Sequence, residues 1–282
     1  MSDPIVPVQV VVQFGHGVAQ RIADEAGVRL LHLKGAATDR RLWHDGEPRM
    51  STDGDVLVHP DQVDGYLERL VEDGWELETD FAHGSSFEHA ATLRHETWGY
   101  LDVHRSWPGF ARDPAEVFET LWHDRQQVTI CAISCATPSL PDQRIILSIN
   151  AVRDGADADH PDVAQAWQQA TPQLRSVLLA RADRLGGQVA FSIVTGDFDR
   201  HRDHPQHAIW QVMSEGGSRR EEWVARVRAA PDLRTGARTA VRSVLVNPQS
   251  LRVRLGHPPS RVELARDFVG RFARAVRDEL RS

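Results

Sequence analysis

The chain has 282 residues, a net charge of −7, and ordinary proportions of hydrophobic (41%) and charged (26%) residues, which favour a globular protein of one or two domains. No apolar run approaches the roughly 20 residues of a membrane span, which excludes a membrane protein of the helical kind. Two cysteines, Cys131 and Cys135, provide neither a disulfide framework nor a zinc site, and the N-terminus lacks the basic start of a signal peptide. The expected location is the cytoplasm.

Hydrophobic periodicity predicts the elements of the first half in chain order. An amphipathic helix is expected over residues 8–26, ending at Gly27, and a short strand over residues 28–33. The predicted order continues with a helix over residues 36–43, a strand over 55–59, a helix over 61–72, two or three strands over 75–107, a helix over 114–122 and a last strand over 127–133. Cys131 and Cys135 lie four residues apart in a strand-like run, where they would share one face.

The pattern changes near residue 138. From residue 143 onward helical periodicity dominates, with helices expected over residues 145–152, 163–170, 173–185, 189–193, 209–213 and 260–280. We therefore predict an α/β (α+β) protein: a domain with a mixed sheet over residues 1–137, followed by a mostly helical domain over residues 138–282.

Basic residues are nearly all arginine and are unevenly distributed. Of the 33 basic residues, 32 are arginines, and the one lysine is Lys34. From Arg219 to the end of the chain, 15 arginines stand against 7 acidic residues, a net charge of +8. Helical arginines that face solvent and pair with neighbouring acids are the simpler explanation of this excess. The alternative is a basic rim that faces phosphate, on a substrate or on RNA.

Three carboxylates on predicted strands indicate a metal site. Asp53 and Asp55 lie two residues apart, so their side chains project from the same face of a strand. Two such carboxylates repel each other unless a cation lies between them, and Mg²⁺ or Mn²⁺ prefers oxygen ligands of this kind. Asp102 lies in a later apolar run, where a buried carboxylate needs a partner or a metal.

A glycine turn precedes these acids along the chain. Gly35 follows the first predicted strand, and a glycine there lets backbone amides approach a triphosphate closely. Lys34 or Arg49 can then neutralise phosphate charge. Each motif alone is common in proteins with other functions. The three in this order favour nucleotidyl transfer, in which one metal ion activates a hydroxyl and the other stabilises the departing pyrophosphate.

These residues carry a resemblance to a known superfamily. The chain resembles the polymerase-beta-like nucleotidyltransferases, whose pattern is a strand, a glycine-containing turn, Asp-x-Asp and a later Asp. Within them it is similar to nucleotidyltransferases with Leu-Lys-Gly, an Arg before the Asp-x-Asp strand, and an acid-x-His at the end of the later strand. The similarity covers about residues 28–107. The matching residues are Leu33, Lys34, Gly35, Arg49, Asp53, Asp55, Asp102 and His104.

The resemblance implies roles for these residues. Asp53, Asp55 and Asp102 would be the catalytic carboxylates and the ligands of Mg²⁺ or Mn²⁺, with Asp102 also accepting a proton from the attacking hydroxyl. The residues expected at the nucleotide and its phosphates are Lys34, Gly35, Ala36, Arg49 and His104. His104 would orient a metal-binding carboxylate, or it would point to the other side as an ordinary sheet histidine.

Two positions depart from the superfamily pattern. Ala36 follows the glycine where serine is common, so Lys34 is expected to supply the missing phosphate contact. Gly54 stands between the two aspartates where an apolar residue is usual, which loosens the strand or admits something close to its backbone. Neither change removes an expected metal ligand.

The expected function is transfer of a nucleoside monophosphate from a nucleoside triphosphate, such as ATP, to an acceptor, with release of pyrophosphate. The favoured acceptor is a small molecule or a peptide in a biosynthetic pathway. Two alternatives stay open: a toxin-like enzyme that modifies tRNA or protein, for which the basic C-terminal segment is the hint, and a non-catalytic descendant that only binds nucleotide.

Overall fold

The computed structural model describes residues 6–81 and 88–229, and beyond them positions 251, 255, 257, 259–267 and 270. The chain divides into two compact units, residues 1–216 and residues 217–282. The first unit contains a mixed sheet and the helices around it, so the α/β class is confirmed. A domain boundary after residue 137 stays a prediction.

The helices and strands of the described residues alternate in the first half and give way to helices in the second. The strands are β1 (Leu30–Leu33), β2 (Asp53–Val58), β3 (Glu76–Thr79), β4 (Ala90–His95), β5 (Gly99–His104), β6 (Gln126–Ile130) and β7 (Ile133–Thr137). The helices are α1 (Val8–Ala26), α2 (Val63–Glu72), α3 (Pro114–His123), α4 (Leu140–Arg153), α5 (Pro161–Val163), α6 (Pro172–Leu185), α7 (Gln188–Thr195), α8 (His207–Ser214) and α9 (Arg219–Arg228).

Five of the described strands form the main sheet in the order β1-β2-β5-β4-β3. Among these five, β2 and β5 are the pair that runs parallel. After β2 the chain passes through α2 to β3 at the far edge of the sheet and comes back through the antiparallel strand β4 to β5. The two strands with the predicted carboxylates are therefore neighbours at the centre of the sheet.

The larger apolar core lies between one face of this sheet and helices α1 and α2. Its fully buried aromatic members are Tyr66 and Trp75, and Tyr66 donates its hydroxyl to the carbonyl of Ala19 on α1. Each large apolar side chain buried here contributes roughly 1.5–3 kcal/mol to stability. Because side chains alternate between the two faces of a strand, the acidic side chains of β2 and β5 lie on the opposite face. The core members on these two strands are Val56, Val58, Leu101 and Val103.

One predicted helix is replaced by two turns. Residues 36–43 were expected to be helical, but they form short 3₁₀ turns at Gly35–Ala37 and Arg40–Leu42. Asp39 separates the turns, has an extended conformation, and caps the second by accepting a hydrogen bond from the backbone of Arg41. A capping residue in the middle of a short segment favours a break over a continuous helix.

The last predicted strand is half of a hairpin. Residues 127–133 were expected to run straight, but β6 ends at Ile130 and the chain turns at Cys131 and Ala132 before β7 begins. Both turn residues have positive φ (48° and 63°), as a two-residue hairpin turn requires. The prediction that Cys131 and Cys135 share one face of a strand is therefore wrong; Cys131 lies in the turn, and both thiols are free.

The helical prediction for the second half is confirmed for α4 to α8. A buried ion pair contributes to their packing: Asp142 of α4, fully buried, accepts two hydrogen bonds from Arg181 of α6 and one from Ser139. Of the helix predicted over residues 260–280, residues 261–267 and 270 are helical and the others lie outside the described residues. Within the described part of the chain, none of the helices combines the length and apolarity needed to cross a bilayer.

Candidate active site

The carboxylates of β2 and β5 are brought together by strand register. The parallel pairing sets Asp55 opposite Asp102, and Leu57 opposite His104. Because side chains alternate along a strand and cross-strand partners share a face, Asp55, Asp102 and His104 project from the same side of the sheet. That side is opposite to the apolar core.

Four polar side chains meet there. One ligand atom each from Asp55, Asp102 and His104 lie within 4.8 Å of one another. His104 Nε2 donates to Asp55 Oδ1 at 2.9 Å, and Lys34 Nζ lies 2.9 Å from Asp55 Oδ2. Thr92 on β4 donates its hydroxyl to Asp102 Oδ1 at 2.7 Å. We call Lys34, Asp55, Asp102 and His104 the carboxylate cluster.

Burial and nearby positive charge have opposite effects on the pKa of the two carboxyl groups, Asp55 and Asp102. Burial raises the pKa of Asp55, but the charge of Lys34 and the hydrogen bond from His104 outweigh it and hold the pKa well below its usual range. Burial also has the largest effect on Asp102, and there it prevails over His104 and Thr92, so the pKa of Asp102 is raised. Asp55 is therefore the firmly ionised member of the pair, and Asp102 is the one more easily protonated.

The turn after β1 explains how Lys34 reaches the cluster. Leu33, the last residue of β1, pairs with Asp55, so the next residue begins beside that carboxylate. Lys34 and Gly35 both have positive φ (51° and 42°), a region that residues with a side chain rarely adopt. A side chain at position 35 would place its Cβ 2.9 Å from Cβ of Ser51, so this position requires glycine.

Ala36 contributes an apolar contact. It packs against the small core cluster that the hairpin forms beside the turn, together with Ala37, Ile130 and Cys135. The position where related turns carry a serine hydroxyl is thus used for packing. Backbone amides of the turn and the neighbouring Lys34 remain available for a phosphate contact.

Asp53 lies at the start of β2, on the same face as Asp55. Its Oδ1 accepts a hydrogen bond from Ser51 Oγ at 3.0 Å, and the same hydroxyl lies 2.7 Å from its backbone oxygen. Its carboxylate is not among the ligand atoms that converge within 4.8 Å. The structure therefore brings Asp55 and Asp102 together with His104. Asp53, the first residue of β2, lies outside this group.

Arg49 lies between the turn and β2 and is anchored to the helical part of the unit. Its guanidinium donates to both carboxylate oxygens of Asp162 on α5, one of them at 2.7 Å, and it also contacts His44. Arg49 lines a cavity of about 600 Å³ together with Gly35 and Ser51. The side chain is thus next to the expected nucleotide turn while its charge is paired with a buried acid.

The surroundings of His104 include residues that the sequence analysis did not identify as part of the site. Its ring stacks on His89, with centroids 5.2 Å apart, and lies 5.1 Å from the ring of Trp107. Trp107 is 2% exposed and is therefore buried beside His104. Thr92 could have been found only from the β4–β5 register, which pairs it with Asp102.

The opposite face of β2 carries a buried histidine pair that the sequence did not indicate. A Cβ at Gly54 would lie 3.5 Å from the ring of His16 on α1, so the glycine lets this ring approach the strand. His16 Nδ1 lies 2.8 Å from His32 Nδ1, and His32 Nε2 lies 2.9 Å from Oε1 of Gln20. Gln20 in turn donates to Asp24.

These hydrogen bonds define the tautomers of the pair. Because Gln20 uses its NH₂ group on Asp24, its oxygen accepts from His32 Nε2, and His32 Nδ1 must accept from His16 Nδ1. His16 Nε2 is then an unprotonated, buried atom without a hydrogen-bond partner among the described residues. Burial lowers the pKa of His16 to about 4 and that of His32 well below its usual value, so both rings are neutral near pH 7.

The donor atoms of the carboxylate cluster fit a divalent cation. Two carboxylates and an imidazole nitrogen converge, and Mg²⁺ or Mn²⁺ accepts oxygen ligands, with Mn²⁺ also suited to imidazole. Both oxygens of Asp55 already receive a hydrogen bond or an ion pair, from His104 and Lys34. A cation at Asp55 must therefore use a remaining lone pair or replace one of these partners.

Two solved structures are similar to this chain at low sequence identity. One is the lincosamide antibiotic adenylyltransferase LnuA with lincomycin bound, at 14% identity and a TM-score of 0.35, over 62% of this chain and 96% of that one. The other is an antigenic nucleotidyltransferase-like protein from Paracoccidioides brasiliensis, at 18% identity and a TM-score of 0.36, over 63% and 88%. A search of curated proteins by sequence gave no match.

A family profile covers the carboxylate cluster and most of the surrounding unit. The profile is that of a family described as uncharacterised nucleotidyltransferases, and it matches residues 19–196, more than half of the chain. The match begins within α1 and ends just after α7, so it includes every member of the cluster. The protein is therefore a nucleotidyltransferase and belongs to this family.

Proposed function

We propose that this nucleotidyltransferase transfers a nucleoside monophosphate, in the first instance from ATP, to an acceptor hydroxyl in a reaction that depends on Mg²⁺ or Mn²⁺. The observation that carries the proposal is the convergence of Asp55, Asp102 and His104 on one face of two parallel strands, beside the glycine turn. A buried carboxylate face of this kind needs cations, and nucleotide phosphates arrive with them.

The carboxylates would hold the metal. Asp55 and Asp102 supply oxygens from paired positions, and Asp53 lies on the same face of β2, two residues before Asp55. The bound cation supplies Lewis acidity and neutralises phosphate charge. His104, hydrogen-bonded to Asp55, fixes the orientation of that carboxylate and could itself be a ligand once it gives up this hydrogen bond.

Asp102 is the candidate proton acceptor for the attacking hydroxyl. Its raised pKa and its partial exposure support this role, since a base must hold a proton during the reaction and must be reached by the acceptor. In the proposed step the acceptor oxygen forms a bond to the α-phosphorus and its proton goes to Asp102. The bond from the α-phosphorus to the bridging oxygen breaks, and pyrophosphate leaves with the electron pair.

The nucleotide and its phosphates would lie along the turn. Gly35 and Ala36 offer backbone amides, Lys34 offers an ammonium group, and Arg49 lines the adjoining cavity. Because Arg49 is paired with Asp162, its use as a phosphate ligand requires this ion pair to be shared or exchanged. His104 completes the set from the end of β5.

The acceptor is proposed to be a small molecule or a peptide of a biosynthetic pathway in the cytoplasm, bound with the help of the helices after residue 137. The argument for an RNA acceptor depends on the basic segment from Arg219 onward, most of which lies outside the described residues. A purely nucleotide-binding role is disfavoured by the three retained carboxylates.

Metal-dependent nucleotide binding tests the proposal without knowledge of the acceptor. Thermal unfolding of the wild type is followed with each nucleoside triphosphate, with and without Mg²⁺, beside the double variant Asp53→Asn/Asp55→Asn and the control Asp64→Asn on the exposed face of α2. Ligand at roughly 100 times its dissociation constant stabilises the protein by about 2.7 kcal/mol.

We expect a shift that needs both nucleotide and metal, is lost in the double variant, and is kept in the control. A shift without metal, or one kept by the double variant, would contradict the assignment of the metal ligands. Nucleotide binding without turnover over a wide panel of acceptors would favour the purely binding role. Salt-dependent binding of tRNA would favour the RNA acceptor.

A further inference from the structure

Lys34 occupies the place on Asp55 where a metal ion would be expected. Its Nζ lies 2.9 Å from Oδ2 of Asp55, with 23% of the lysine side chain exposed and 3% of the aspartate. The ammonium also lies 5.4 Å from the centre of the Trp107 ring, within the range of a cation–π contact. The sole lysine of the chain therefore lies between a buried carboxylate and the solvent.

The backbone holds Lys34 in this place by an uncommon conformation. Its φ of 51° is followed by the positive φ of Gly35, where Ser51 leaves no room for a larger residue. A non-glycine residue in this region is strained, and such strain persists where the surrounding structure imposes it. The position of the ammonium group is thus a built feature of the turn after β1.

Lys34 and a divalent cation have the same effect on Asp55. A buried carboxylate is costly unless a cation pairs with it, and Lys34 provides that cation in the absence of metal. When a metal ion binds the same carboxylate, the two positive charges lie a few ångströms apart in a poorly screened site and repel each other. A metal ion on Asp55 therefore weakens the close contact between Lys34 and this carboxylate.

We propose that Lys34 is the resident counter-ion of Asp55, and that a divalent cation replaces it there and releases its ammonium group toward the phosphates of the nucleotide. This inference rests on the proposed function, which supplies the metal and the nucleotide. It makes metal and triphosphate binding cooperative, because the phosphates gain a cation that is otherwise engaged. It also explains why the lysine lies at the partly exposed end of the cluster.

The first test measures metal binding without nucleotide. Binding of Mn²⁺ is followed by electron paramagnetic resonance for the wild type, for Lys34→Met, which removes the charge, and for Lys34→Arg, which keeps it. If Lys34 competes with the metal, Lys34→Met binds Mn²⁺ more tightly, on the order of tenfold, because the resident cation is gone. Lys34→Arg should remain close to the wild type.

The effect of ATP on Mn²⁺ binding should also differ between these proteins. Adding ATP strengthens Mn²⁺ binding in the wild type and has a much smaller effect in Lys34→Met, since no ammonium group is available to the phosphates. Equal or weaker Mn²⁺ binding by Lys34→Met, without nucleotide, overturns the inference while leaving the proposed function intact. Absence of Mn²⁺ binding in all three proteins, with and without nucleotide, contradicts the proposed function itself.

A second test uses the folded wild type and does not depend on a variant of Lys34. Because the chain has a single lysine, acetylation of its side chain can be followed by mass spectrometry apart from the N-terminal amine. We expect Lys34 to react slowly without metal, several times faster with Mg²⁺ alone, and slowly again with Mg²⁺ and ATP. In Asp55→Asn the reaction should be fast in every condition. A rate unchanged by saturating Mg²⁺ overturns the inference.

Discussion

The two faces of β2 hold buried ionisable residues in opposite states. On one face Asp55 is ionised, because Lys34 and His104 overcome the effect of burial on its pKa. On the other face His16 and His32 are neutral, because burial lowers their pKa and their ring nitrogens bond to each other and to Gln20 rather than to a carboxylate. Gly54, the residue before Asp55 on β2, faces the histidine pair.

The difference shows how a charged site is kept next to an apolar core. Asp55 has a cation within hydrogen-bonding distance, whereas the histidines are bonded to each other and to the amide of Gln20. Protonation of His16 would add a positive charge near Asp55, whose own charge favours that protonation. Because His16 and His32 stay neutral, the negative charge of Asp55 is balanced by Lys34, which lies on the other face of β2.

The largest change in stability is expected when the pH is lowered and the buried His16 becomes protonated. Because the pKa of His16 is lowered to about 4 in the folded protein, the unfolded chain takes up its proton first as the pH falls. The stabilising contribution is complete above about pH 6.5 and is lost progressively down to pH 4, by about 3 kcal/mol. Urea unfolding of the wild type and of His16→Asn over this range measures the difference.

In His16→Asn this part of the pH dependence should be missing, while the parts due to His32 and His89, whose pKa values are also lowered, remain. The control is His123→Asn, because His123 is exposed at the end of α3. If the wild type and His16→Asn lose stability in parallel from pH 6.5 to pH 4, the neutral, buried state of His16 is wrong.

A somewhat smaller loss of stability is expected for a substitution of Gly54 on β2. Gly54→Ala adds a methyl group 3.2 Å from Leu101 Cδ1 and 3.5 Å from the His16 ring, so the core must shift or the strand must bend. We expect a loss of about 2 kcal/mol in the free energy of unfolding, as for other overpacked cores. Denaturation at pH 7.5 gives the value.

Gly65→Ala is the matched control. Gly65 lies in α2, and a Cβ there meets nothing within 4 Å, so alanine should stabilise the helix by up to about 1 kcal/mol. Opposite signs for the two substitutions would support close approach of His16 as the reason for glycine at position 54. A loss of stability at both positions would remove that explanation.

The sequence predicted the parts of the site that depend on local pattern. Alternation along a strand placed Asp53 and Asp55 on one face, and the apolar run around Asp102 marked a strand with a buried acid. A glycine turn after the first strand was also predicted, and Gly35 adopts a positive φ there. These features follow from residue spacing of two or from the unusual backbone freedom of glycine, and both can be read from neighbouring residues.

The rest depends on contacts between residues far apart in the chain. The register of β2 and β5, which pairs Asp55 with Asp102, is set by strands distant in the chain and by the core they share. The pair of Arg49 and Asp162 joins positions separated by 113 residues. The hairpin of β6 and β7 was missed because its turn contains cysteine and alanine rather than the expected asparagine or glycine.

The smallest loss of stability is expected for a substitution of Thr92, which lies beside Asp102. Thr92→Val keeps the shape of the side chain and removes the hydroxyl that donates to Asp102 Oδ1. Burial already raises the pKa of Asp102, and loss of this hydrogen bond raises it further. For an acid with a raised pKa, stability is lost as the pH rises from the unfolded value of about 3.9 through the folded one.

The variant should therefore be less stable than the wild type at pH 7, by about 1 kcal/mol, and nearly equal to it below pH 4. Unfolding in urea with EDTA present, at pH 7 and at pH 3.5, measures both differences, and Thr129→Val on the exposed side of β6 is the control. An equal loss at the two pH values would mean that Thr92 only fills space. A loss confined to pH 7 would show that its hydroxyl acts on the charge of Asp102, and would extend the contrast between the two faces of β2 to a single hydrogen bond.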